Sequence, residues 1–154
     1  MTTISLAIVL HTAVLATGAA PTSAAPTYAE AHAEQKETGK PLVVLIGADW
    51  CPACQTMKNT ALPQVQKRGA LKKVSYAVIN TDQNGKLARQ MMSGGSIPQL
   101  VMYRQTASGW KRESLTGAQD PAAIEAFINR GVADTKTPSN QLGGEPKAEA
   151  AKTE

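Results

Sequence analysis

Five consecutive branched apolar residues, Leu42-Val43-Val44-Leu45-Ile46, stand between Pro41 and Gly47. A run this short and uniformly apolar suits a strand buried on both faces, because a half-exposed strand would alternate apolar with polar. Such a strand must be covered above and below, which places the chain in the α/β class. Trp50-Cys51-Pro52-Ala53-Cys54 follows almost at once and contains both cysteines of the 154-residue chain. Two cysteines exclude a multi-disulfide scaffold and, within one chain, a four-cysteine zinc site. The length allows one domain rather than two.

Around that strand the pattern alternates. Residues 28–38 are alanine-rich and close on Gly39, which suits a helix with a glycine cap. A helix is expected from Cys51 toward Asn59, with residues 62–71 continuing after Pro63 as a second segment or a kinked extension. Residues 74–80 read as the next strand. Asp82 and Asn84 offer caps for a helix over residues 86–92, which Ser93-Gly94-Gly95 ends. Residues 99–103 and 110–115, separated by Thr-Ala-Ser-Gly, predict a hairpin. Asp120-Pro121 opens a last helix ending near Gly131. The expected order is α-β-α-β-α-β-β-α.

The termini differ in composition from this block. No Lys, Arg, Asp or Glu precedes Glu30, and a short apolar run over residues 4–15 leads into small residues through Ala25. Residues 1–25 therefore resemble a secretory signal peptide, with cleavage after Ala19 or Ala24, and predict a periplasmic or secreted protein. The leader lacks Lys and Arg, and His11 and Thr12 interrupt it, so an uncleaved anchor and a mis-set start codon are the alternatives. Its apolar run falls short of the ~18 residues that a membrane span needs. Residues 135–154 have Leu142 as their one large apolar side chain and predict a disordered tail. Residues 28–134 are left as one compact domain.

The net charge of +4 raises the question of nucleic acid, but the sixteen basic residues are scattered. Lys67, Arg68, Lys72 and Lys73 come nearest to a patch, and no aromatic alternates with them to stack bases. They read as a solvated face, and no nucleic-acid partner is expected.

The chemistry lies in Cys51 and Cys54. At the start of a helix, a three-residue offset puts both sulfurs on one face of the first turn, within disulfide reach. A sulfur at the helix N-terminus faces unpaired N–H groups, which lowers the Cys51 thiol below the ~8.5 of a free cysteine. Cys54, one turn deeper, is expected to be buried and less acidic. Cys51 is thus the nucleophile that forms a mixed disulfide, and Cys54 the resolving thiol.

Three stretches carry a resemblance to the thioredoxin superfamily: Ala48-Asp49-Trp50-Cys51-Pro52-Ala53-Cys54, Asn80-Thr81-Asp82-Gln83-Asn84 and Ser96-Ile97-Pro98-Gln99. Thr38 to Pro41 and Leu62-Pro63-Gln64-Val65-Gln66-Lys67 are similar to the C-terminal periplasmic domain of the transmembrane thiol:disulfide interchange protein and its soluble relatives. The resemblance implies the thioredoxin fold, a central mixed sheet flanked by helices in three α/β/α layers. It implies a cis Ile97-Pro98 bond, although only about one X-Pro bond in twenty is cis. It also implies substrate binding by the backbone of Ile97, a groove shaped by Pro98, and Trp50 covering one side of the sulfurs. Core packing is the alternative role of Trp50.

The family's buried Asp six residues before the first cysteine, and the Lys paired with it, are replaced here by Leu45 and Val78. Water or Asp49 must then take the Cys54 proton, and Asp49 serves equally well as a turn residue. The dipeptide Pro52-Ala53 contains no His to stabilise the thiolate further, and by resemblance the expected direction is reduction or isomerisation. The expected function is an extracytoplasmic thiol-disulfide oxidoreductase, a monomer without organic or metal cofactor, acting on cysteine-containing client proteins and a thiol/disulfide redox partner. The alternative is a soft-metal (copper or zinc) binding or chaperone module using the same pair. Two thiolates half-fill a zinc site, and His11 and His32 lie far from them in sequence. Met57, Met91, Met92 and Met102 read as core filler rather than copper ligands.

Overall fold

The structure, a computed structural model, describes residues 25–135. The expected leader and tail lie outside the described residues, except for Ala25 and Thr135 at their edges. Helix α1 (Tyr28–Thr38) is closed at both ends. Thr27 Oγ1 accepts from the Glu30 N–H while the Glu30 carboxylate accepts from the Thr27 N–H, a reciprocal capping box. Gly39 ends the helix at φ 70°, a conformation that a Cβ would disfavour.

Strand β1 (Leu42–Gly47) is buried along its whole length. It pairs in parallel with β2 (Ser75–Asn80) and antiparallel with β3 (Gln99–Thr106), which forms a hairpin with β4 (Gly109–Thr116). The resulting order, β2-β1-β3-β4, is a mixed sheet with β1 inside it. Successive β1 side chains point to opposite faces. Val43 and Leu45 join Met57, Leu62, Val65, Phe127 and Ile128 on one side, while Leu42, Val44 and Ile46 join Ala31, Ala88 and Met91 on the other. Helices therefore cover both faces, as the continuous apolar run requires. This is the thioredoxin fold, in three α/β/α layers.

Between β1 and β2 the structure takes the extension past Pro63 rather than a second segment, and ends it sooner than expected. Helix α2 (Pro52–Thr56) passes through a π-helical turn (Met57–Ala61) into α3 (Leu62–Lys67), so Pro63 does not break it. The Leu62 N–H donates to the Met57 carbonyl, a wider turn placed just before the residue that has no N–H to give. The helix stops at Lys67 rather than Leu71. Gly69, at φ 85°, leads into a 3-10 turn over Ala70–Lys73.

Helix α4 (Gly85–Met91) has Asn84 at its N-cap position without a side-chain cap bond. Upstream of the helix, Asn80 Oδ1 accepts from the Asp82 N–H at 2.8 Å, which closes the turn that leaves β2. Helix α5 (Pro121–Asp134) begins as expected, with Asp120 accepting from the Ala123 N–H, and runs one turn past Gly131. Among the described residues no helix is long and apolar enough to cross a membrane.

Candidate functional site

At the C-terminal end of β1 the chain turns through Ala48-Asp49-Trp50 into α2. Cys51 is the N-cap of that helix, with extended backbone (φ −89°, ψ 112°) and Pro52 in the first turn, where a missing N–H costs nothing. Cys51 and Cys54 form a disulfide with their Cα atoms 5.2 Å apart. Both residues are buried, at 6% and 4% exposure. The expected difference in burial is thus small, and the asymmetry lies in hydrogen bonding. The backbone N–H of Cys54 donates to Cys51 Sγ at 3.2 Å, a bond that strengthens when that sulfur becomes a thiolate.

The segment before β3 meets this pair. Ile97-Pro98 is cis, as the family resemblance implied and base rates did not. Ile97 is half-buried and packs against Ala48, Cys51 and Cys54, and Pro98 is buried beside it. Trp50 is 70% exposed, which overturns core packing as its role.

On the other side of Cys54 lies an open cavity of about 650 Å³, lined by Leu45, Val78, Asp49, Lys58 and Asn80 among others. Leu45 and Val78 are direct partners in the β1–β2 ladder, so the two apolar replacements meet each other. No buried charge is left unpaired at that point. Asp49 is exposed and anchored: Asn80 Nδ2 donates to its Oδ2 at 2.7 Å, Lys58 Nζ lies 3.9 Å from its Oδ1, and Gln55 Nε2 donates to its backbone carbonyl. These bonds fit the turn role of Asp49, while the cavity places its carboxylate on the Cys54 side.

Two site residues were not singled out from the sequence. Gly47 lies directly against Cys54, and Gln99 is fully buried behind the Ile97 segment. A polar residue at the first position of an apolar strand was the available signal for Gln99. Among the described residues no group of three or more His, Cys, Asp or Glu is arranged to hold a metal.

A family model described as thioredoxin-like matches residues 22–104, more than half of the chain. The chain belongs to the thioredoxin-like family. Its fold is similar to that of a thioredoxin from Thermus thermophilus (25% identity, TM-score 0.56), over 68% of this chain and 82% of that one. A Trichomonas vaginalis thioredoxin matches with 27% identity and TM-score 0.53 over 69% of this chain and 92% of that one. Chloroplastic thioredoxin z shares the fold at TM-score 0.59 with 18% identity, over 75% of this chain and 99% of that one. The search of curated proteins finds no match. A thioredoxin fold with a CxxC pair bridged at a helix start makes this thioredoxin-like chain a thiol-disulfide oxidoreductase.

Proposed function

We propose that this thioredoxin-like protein reduces or isomerises disulfides of exported client proteins, with Cys51 as nucleophile and Cys54 as resolving thiol. The observation that carries the assignment is the Cys54 N–H aimed at Cys51 Sγ from the first turn of α2. It favours negative charge on Cys51 in the reduced enzyme.

In the forward direction the Cys51 thiolate attacks one sulfur of a client disulfide, forming a mixed disulfide and releasing the other sulfur as a thiolate. Cys54, having given its proton to water in the adjacent cavity, then attacks Cys51 Sγ. The client leaves with both thiols reduced and the enzyme keeps the Cys51–Cys54 disulfide. A dithiol partner returns the two electrons. Ile97 offers its backbone to an extended client segment as an added strand, Pro98 shapes that groove, and exposed Trp50 contributes apolar contact next to Cys51.

The apolar, uncharged residues before Glu30 support an extracytoplasmic location, in the periplasm or beyond. The absence of His from Pro52-Ala53 and the likeness to the interchange-protein domain support the reducing direction. The catalytic unit is residues 28–134, acting as a monomer. The test is the equilibrium potential of the pair in glutathione buffer, read by thiol alkylation. A value below about −220 mV agrees with a reductase, and one above about −150 mV would reverse the direction. For location, a membrane-impermeant maleimide should label reduced Cys51 in intact cells, and labelling only after lysis would contradict export.

A further inference from the structure

A buried carboxamide is expensive unless its donors and acceptor are matched. Gln99, the residue after cis Pro98, is fully buried and matched on both ends. Its Oε1 accepts from the Ser93 N–H at 3.0 Å, and its Nε2 donates to the carbonyls of Ser93 at 2.9 Å and Ser96 at 2.8 Å. All three partners are backbone groups of the exposed segment between α4 and β3, which contains Gly94 at φ 71° and Gly95. Glycines make such a segment costly to order, and one side chain from the sheet ties both of its ends.

What this segment delivers is Ile97. The Ile97 side chain packs on the cysteine pair, and on its far side the Pro98 carbonyl accepts from the Gly117 N–H at 2.8 Å. The backbone is thus tied on both sides of Ile97, while among the described residues the Ile97 N–H and carbonyl have no hydrogen-bond partner. An unpaired donor and acceptor held in a rigid frame form a short template for an incoming strand.

We infer that Gln99 is a positioning residue for client capture: its carboxamide holds the Ser93-to-Ser96 segment so that the backbone of Ile97 meets an extended peptide beside Cys51. The inference rests on the proposed docking of clients at Ile97. It sets a specificity, because a disulfide carried on an extended peptide uses the template and a small disulfide does not.

The experiment compares the full-length wild type with Q99E. That change keeps the acceptor but sets a carboxylate oxygen against the two carbonyls. Each protein reduces a disulfide-linked peptide and, separately, hydroxyethyl disulfide, which has no backbone to pair. The peptide kcat/KM should fall roughly tenfold or more, mainly through KM, while the small-disulfide rate and the Cys51–Cys54 potential stay within about twofold. Q99T, which puts no charge in the core, carries the same expectation if Q99E does not fold. Equal losses on both substrates, no loss on either, or failure of both variants to fold would overturn the inference. A wild type inactive on both substrates would instead overturn the functional reading beneath it.

Discussion

Gly47 and Cys54 are in such close contact that a Cβ on Gly47 would stand 2.9 Å from Cys54 Cβ and 3.0 Å from its Sγ. The last residue of β1 therefore seats the Cys54 sulfur, and glycine is needed there for space. Gly47→Ala should cost about 1–3 kcal/mol by overpacking and slow disulfide exchange. Urea unfolding of the oxidised protein together with alkylation kinetics measures both effects. An unchanged midpoint and rate would mean that the contact relaxes freely.

A second close relationship holds the far end of the sheet. Arg104 is 1% exposed on β3, and its Nη2 donates to Glu113 Oε1 at 2.8 Å and to Asp134 Oδ2 at 3.2 Å, joining the hairpin to the end of α5. Glu113→Ala leaves the guanidinium with Asp134 as its one carboxylate partner and should destabilise the fold by about 1.5–3 kcal/mol. The hydrogen bond from Arg104 also holds the Glu113 carboxyl below its ordinary range. A lowered folded-state pKa means that this stabilisation is complete above the unfolded value of about 4.3 and is lost as pH falls through the folded value. Glu113→Gln should flatten the acid limb of the stability curve. An identical limb in chemical denaturation from pH 6 to pH 3 would contradict the assignment.

What the sequence made legible were features with a local cause. The Leu42–Ile46 run demanded a strand covered on both faces, Asp120-Pro121 marked a helix start, and the Cys51–Cys54 offset placed the chemistry at a helix N-terminus. The cis bond at Pro98 was accessible through family resemblance, since local preference favours trans. The path past Pro63 was not legible, because a proline reports a missing N–H but not whether a π turn will absorb it. That choice belongs to Met57, Ala61 and Leu62, which the core holds in place. Gln99 escaped for the same reason: its three partners are set by how the segment from Ser93 folds back, which is tertiary information.

Asp49 lies on the Cys54 side of the site but is exposed and bound to Asn80, with Lys58 3.9 Å away. The adjoining cavity is open to solvent, so Asp49→Ala should slow resolution of the mixed disulfide by less than about tenfold, where an essential proton acceptor would cost 10² or more. Stopped-flow thiol exchange reads the difference. Abolished turnover in a folded variant would make Asp49 the acceptor.

Trp50 offers a clean separation of function from stability. At 70% exposure its removal uncovers little core, so Trp50→Ala should change unfolding free energy by no more than about 0.5 kcal/mol. Its loss should nonetheless raise KM for protein disulfides by several-fold, since an exposed Trp beside a reactive sulfur is available contact area. A change in stability without a change in KM would contradict this role.

The direct test of the central claim is covalent trapping. In the proposed roles, Cys54→Ser leaves Cys51 without its resolving partner, so non-reducing gels of cells carrying this variant should show client adducts that vanish with reductant. Cys51→Ser should show none. Adducts on Cys51→Ser would exchange the two roles, and adducts on neither variant would contradict disulfide exchange by this pair.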